Sequence, residues 1–103
     1  KKMIYLGERL PAEIALDWGI LTDVAEDQAA LDDMIDKYAA RLNALSPLAL
    51  ATIKQVMNTA FDSTLDFAMN LEGQAYEKLR DSYDYTEGAT AFFEKRKPVY
   101  KGE

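Results

Sequence analysis

At 103 residues the chain is one domain or part of one, and 49% hydrophobic with 29% charged residues puts it well above disorder-prone composition. It has neither cysteine nor histidine, which excludes disulfide frameworks, thiolate or imidazole metal sites, and Ser-His or Cys-His nucleophiles. A net charge of −6 argues against nucleic acid as the main partner, and no apolar run approaches the ~20 residues that span a bilayer. A soluble, cytoplasmic protein is expected, with no membrane partner; an organelle stays open if a transit peptide was removed.

The segment Lys1–Leu6 reads as the end of a helix, and Gly7 stops it. Pro11 suits the first turn of a short helix with Ala12, Ala15, Leu16 and Trp18 on its apolar side, and Gly19 is a good left-handed stop. Ile20–Val24 looks extended. A lone strand leaves its backbone groups without partners, so it is either a connector or has neighbours in sequence not included here. From Asp27 to Leu45, apolar residues at 31, 34, 35, 38, 42 and 45 mark one helical stripe. Ser46-Pro47 then caps and opens a helix carrying Ile53, Val56, Met57 and Phe61. Asp62-Ser63 marks the next start, of a helix running to about Ser82. Glu72 lies on that helix's apolar stripe, where a carboxylate must reach water or a partner, with Lys54 the candidate mate. The resulting fold class is all-α, about five helices plus one short extended segment.

The last twenty residues carry the most information. Asp84 can cap a final helix with Glu87 reaching back from the third position, and Lys95, Arg96 and Lys97 then suit the negative end of its dipole before Pro98 stops it. Residues 94–103 carry four cations against two anions, leaving −8 on the rest of the chain. A basic end on an acidic body suits a compact anion such as a phosphorylated cofactor. The plainer reading is that these cations only complement a helix end and stay in solvent.

The run Asp84–Pro98 resembles the C-terminal signature of the crotonase family, the enoyl-CoA hydratases and isomerases, a pattern like D-x-x-E-G-x-x-A-F-x-E-K-R-x-P. Three further segments agree in order and spacing. Gly7–Val24 is similar to T-G-E-x-I-x-A-x-E-A-x-x-W-G-L-V-x-x-V, Ser46-Pro47 with Lys54 to S-P-x-A-x-x-x-x-K, and Leu65, Ala68 and Glu72 to the spacing before the last helix. Leu6 and Pro11 depart from the pattern, where a threonine and a small capping residue are usual.

The resemblance implies the C-terminal helical region of a crotonase (ClpP/crotonase-like) fold. Residues 1–26 would end the core, and 27–103 would form the region for oligomerisation and the coenzyme A pocket. The family's oxyanion hole and catalytic glutamates lie in its larger N-terminal part. Nothing here matches their motifs, so no catalytic residue and no metal ligand is assigned, and the segment alone is expected to be inactive. Phe92 and Lys95 match the positions used on coenzyme A, an aromatic ring for adenine or pantetheine and an ammonium for phosphate, with Gly88 leaving room one turn earlier and Phe93 in the core. The coenzyme A thioester is implied as substrate rather than a bound cofactor, the segment as part of an acyl-CoA enzyme, and its exposed apolar faces as promoting a dimer or trimer. The alternative is an independent all-α interaction module or a truncated regulatory paralogue. The acyl group and the choice between hydration and isomerisation lie outside these residues.

Overall fold

Glycine and proline punctuation sets the first two helices. In the computed structural model, which describes all 103 residues, α1 (Lys2–Leu6) ends on Gly7 at φ 62° and α2 (Ala12–Asp17) starts after Pro11. Pro11 occupies the cap position rather than the first turn. Its fixed φ is compatible with the extended backbone there, and it has no N–H to satisfy. Gly19 at φ 70° reverses the chain after α2, and the Ile20 and Leu21 N–H groups then donate to the Ala15 carbonyl at 2.8 and 3.2 Å. Within this chain Ile20–Val24 is irregular and starts folded back on α2. No strand exists in the chain for it to pair with.

Four longer helices complete the order: α3 (Gln28–Asn43), α4 (Pro47–Phe61), α5 (Leu65–Arg80) and α6 (Tyr83–Glu94). The all-helical class holds, with six helices because α1 counts as one. Asp27 caps α3, its carboxylate accepting from the Ala30 N–H at 2.8 Å. Ser46 caps α4 by accepting from the Ala49 N–H, with Pro47 at the first helical position.

Two expected starts move. Thr64, not Asp62-Ser63, caps α5, its hydroxyl oxygen accepting from the Phe67 N–H at 3.3 Å, while the Ser63 hydroxyl donates to the Ala60 carbonyl at the end of α4. Ser82, not Asp84, caps α6, accepting from the Tyr85 N–H at 3.1 Å. The expected basic last turn is likewise absent. The helix stops at Glu94, and Lys95, Arg96 and Lys97 lie beyond it.

The chain falls into two compact units, residues 1–39 and 40–103. In the first, Ala15 is buried while Trp18 and Ile20 stay more than half exposed. In the second, α4 packs on α5 and α5 on α6, and the tail after α6 returns along it. Between α4 and α5 lies an open apolar groove of about 560 Å³. Ile53, Met57, Leu65 and Met69 line it and are each more than half exposed. Glu72 also lines this groove and forms no ion pair with Lys54; its side chain is exposed, so it needs no buried partner. No helix is long and apolar enough to cross a membrane.

Candidate functional site

The best-ordered chemistry of the chain surrounds the end of α6. Two carboxylates one turn apart on this helix, Asp84 and Glu87, are buried, although acidic side chains usually keep to the surface unless paired. Both are paired with the returning tail. Asp84 accepts from the Ser46 hydroxyl at 2.6 Å and from the N–H groups of Lys101 and Gly102 at 2.7 and 3.1 Å, while its own N–H donates to the Glu103 carbonyl at 3.0 Å. Glu87 takes Arg96 in a two-pronged grip, Nη1 to Oε1 at 2.5 Å and Nη2 to Oε2 at 2.8 Å, and accepts from the Val99 N–H at 2.7 Å. Arg96 also donates from Nε to Glu94 at 2.6 Å.

These contacts dictate the proton affinities. For Glu87 the Arg96 hydrogen bonds, then the Val99 N–H, outweigh burial and hold the carboxyl down at about 2. Burial pushes Asp84 up, but the Ser46, Lys101 and Gly102 donors together leave it below the ordinary aspartate value. Arg96 is raised in turn, first by Glu87 and then by Glu94. Both acids thus stay ionised and occupied by this chain's own donors. The expected capping role of this pair gives way to tail binding, because Ser82 already satisfies the helix start.

The tail fills the space beside α6. A Cβ placed on Gly88 would lie 3.2 Å from the Tyr100 hydroxyl oxygen, so the room this glycine leaves is taken by the chain itself, not kept for a ligand. Gly88→Leu is expected to displace Tyr100 and destabilise the chain by about 1–3 kcal/mol, as overpacking does. A urea or thermal midpoint equal to wild type would show that Tyr100 does not pack there. Lys101 lies 4.1 Å over the Tyr83 ring, a further tie.

Phe92 and Lys95 stand at the open end of α6. The Phe92 ring is 79% exposed and meets the Phe93 ring edge-on, centroids 5.8 Å apart. Phe93 is 81% exposed, so it is not core in this chain. Lys95 follows the last helical residue in a left-handed conformation, φ 55°, and is exposed. It therefore shares no helix face with Phe92. The link is instead a backbone bond from the Lys95 N–H to the Phe92 carbonyl at 3.3 Å. A residue with a Cβ in this conformation costs about 1–2 kcal/mol.

Sequence reasoning missed Asp84 and Glu87 as the receptors of the tail. The available signal was two acids one turn apart followed by a basic, proline-containing segment. The groups assemble no site for a metal: no cluster of acids with ligand geometry occurs.

The structure thus shows six helices with a basic tail folded back onto the last of them, and comparison with known proteins supplies the family. A family model described as Enoyl-CoA hydratase/isomerase matches residues 1–103. The chain belongs to the enoyl-CoA hydratase/isomerase family. Among curated relatives, 1,2-epoxyphenylacetyl-CoA isomerase of Escherichia coli K12 is 38% identical over 95% of this chain and 37% of its own length. The (E)-benzylidenesuccinyl-CoA hydratase of Thauera aromatica is 35% identical over 98% of this chain and 39% of its own. The solved enoyl-CoA hydratase of Bacillus anthracis superposes over all of this chain and 40% of that one, at 32% identity and a TM-score of 0.94. The chain thus spans about two fifths of the length of these relatives.

Proposed function

We propose that this chain is the helical C-terminal portion of an enoyl-CoA hydratase/isomerase acting on an acyl-CoA thioester, with residues 1–26 ending the core and 27–103 forming the region that joins subunits and completes the coenzyme A pocket. In this reading Phe92 stacks on the adenine or pantetheine part and Lys95 meets phosphate, while the enolate-stabilising chemistry belongs to residues outside this chain. One observation carries the proposal. Phe92 and Phe93 near the end of α6 and Lys95 just beyond it are all exposed, and the tail that follows is tied back to Glu87. Exposed aromatic rings and an exposed cation within four residues of chain suit a ligand that pairs a flat ring with phosphate. The relatives' names support it: their acyl groups differ while the CoA thioester is shared.

The test has two arms. The isolated chain should not hydrate an unsaturated acyl-CoA, and it should sediment as a dimer or trimer, because apolar faces as large as the groove between α4 and α5 are rarely left to water. In the intact enzyme, Phe92→Ala and Lys95→Ala should each raise KM about tenfold with kcat changed less than about twofold, the pattern of lost uniform binding. Unchanged KM in both variants would remove the coenzyme role, and a monomer at high concentration would remove the joining role. That pair of results would favour an independent interaction module or a truncated regulatory paralogue.

A further inference from the structure

A lysine in the left-handed turn that ends α6 calls for a physical cause. Lys95 stands between two closing bonds, its own N–H to the Phe92 carbonyl at 3.3 Å and the Arg96 N–H to the Ala91 carbonyl at 3.0 Å. Glycine is the common choice at the centre of this double closure. Strained backbone persists where its surroundings over-determine it, and it concentrates at working sites. Here the determining group can be named. Arg96, the next residue, is gripped through two parallel bonds by Glu87, and Val99 by a third. Glu87 is buried in the middle of α6, so the grip starts from a fixed point. A guanidinium held at two prongs fixes direction as well as distance, which a point charge does not.

We propose that Glu87 is a positioning residue: by holding Arg96 and Val99 from within α6 it locks Lys95 in the left-handed turn, and so aims the exposed Lys95 ammonium at the anionic part of its ligand. This rests on the reading of Lys95 as a coenzyme contact. Asp84 offers the control, since it binds the tail further along, at Lys101 and Gly102, and touches neither Arg96 nor Val99.

The experiment is a double-mutant cycle in the intact enzyme, read as KM for an acyl-CoA, with amide spectra of the ¹⁵N-labelled chain beside it. Glu87→Gln keeps the side-chain shape and one acceptor oxygen, but removes the charge and sets an amide NH₂ against the second Arg96 donor, which breaks the two-pronged grip. It should raise KM about fivefold with kcat changed less than about twofold. In the Lys95→Ala background the same change should add nothing, because residues acting as one unit are not additive. The Lys95 and Arg96 amide resonances should move in Glu87→Gln and stay in Asp84→Ala, which should also leave KM unchanged. Effects of Glu87→Gln and Lys95→Ala that multiply would overturn the proposal. So would an unchanged KM in Glu87→Gln, or an Asp84→Ala variant that reproduces its effect. If Lys95→Ala itself leaves KM alone, the coenzyme reading of Lys95 is what fails, and the amide spectra still decide whether Glu87 holds the turn.

Discussion

Ser46→Ala is expected to lower the thermal midpoint by at least about 4–8 °C, the shift that the loss of a helix cap worth about 1 kcal/mol gives a domain of this size. The effect should exceed that of an ordinary cap because the hydroxyl has two tasks. Its oxygen accepts from the Ala49 N–H at the start of α4, and its hydrogen goes to the buried Asp84 carboxylate on α6 at 2.6 Å. Losing the second bond leaves an ionised carboxylate with only its two backbone donor groups, Lys101 and Gly102, a larger penalty than breaking a neutral hydrogen bond. Two further variants separate the tasks. Ser46→Thr keeps both and should be near wild type. Ser46→Asp keeps the cap acceptor but sets a second carboxylate against Asp84, and should be at least as unstable as Ser46→Ala. A Ser46→Asp variant as stable as wild type would show that the link between α4 and α6 contributes nothing.

That double role illustrates what the sequence made legible. Ser46-Pro47 was readable because a cap and a first-turn proline act within four residues, and the structure keeps both. Gly7 and Gly19 were readable for the same local reason. Asp84 was not. Ser82 and Asp84 are both competent caps; Ser82 takes the role, and Asp84 and Glu87 instead accept from residues 96–103, which bring two guanidinium prongs and three backbone N–H groups from the far side of a chain reversal. No window of the helix itself contains that information. The same holds for the reversal: a Lys-Arg-Lys run reads as a favourable last turn, but the helix ends before it because Arg96 is claimed by Glu87.

The candidate site divides along the same line. Phe92 and Lys95 came from resemblance to a family signature, whereas Glu87, which grips the chain just beyond Lys95, came only from the structure. Apolar periodicity marks a stripe on α3, and Leu31, Ile35 and Leu42 along it are 40%, 54% and 51% exposed. Periodicity reports which face of a helix is meant to be covered and is silent on what covers it.

Acid should release the tail, and only strong acid. Glu87 titrates at about 2 in the folded chain against an ordinary 4.5, chiefly because of Arg96 and then Val99. The unfolded or detached state therefore binds this proton more readily, and the stability carried by the pair rises with pH. It is complete above about 4.5, is lost progressively below that value, and is gone once the pH falls past about 2. Asp84, also held below its ordinary value, adds loss of the same sign. The charges facing Glu87 are those of Arg96 and, more weakly, Lys101, with Glu94 sharing Arg96. The Val99 amide resonance should accordingly be constant from neutral pH to about 5 and titrate with a midpoint near 2. In Arg96→Gln the first-named cause is gone, so the midpoint should climb toward the ordinary glutamate range and the tail should loosen at milder acidity. A wild-type Val99 resonance that titrates near 4.5, or one whose midpoint ignores the loss of Arg96, would mean that the Glu87–Arg96 grip does not hold the tail in solution.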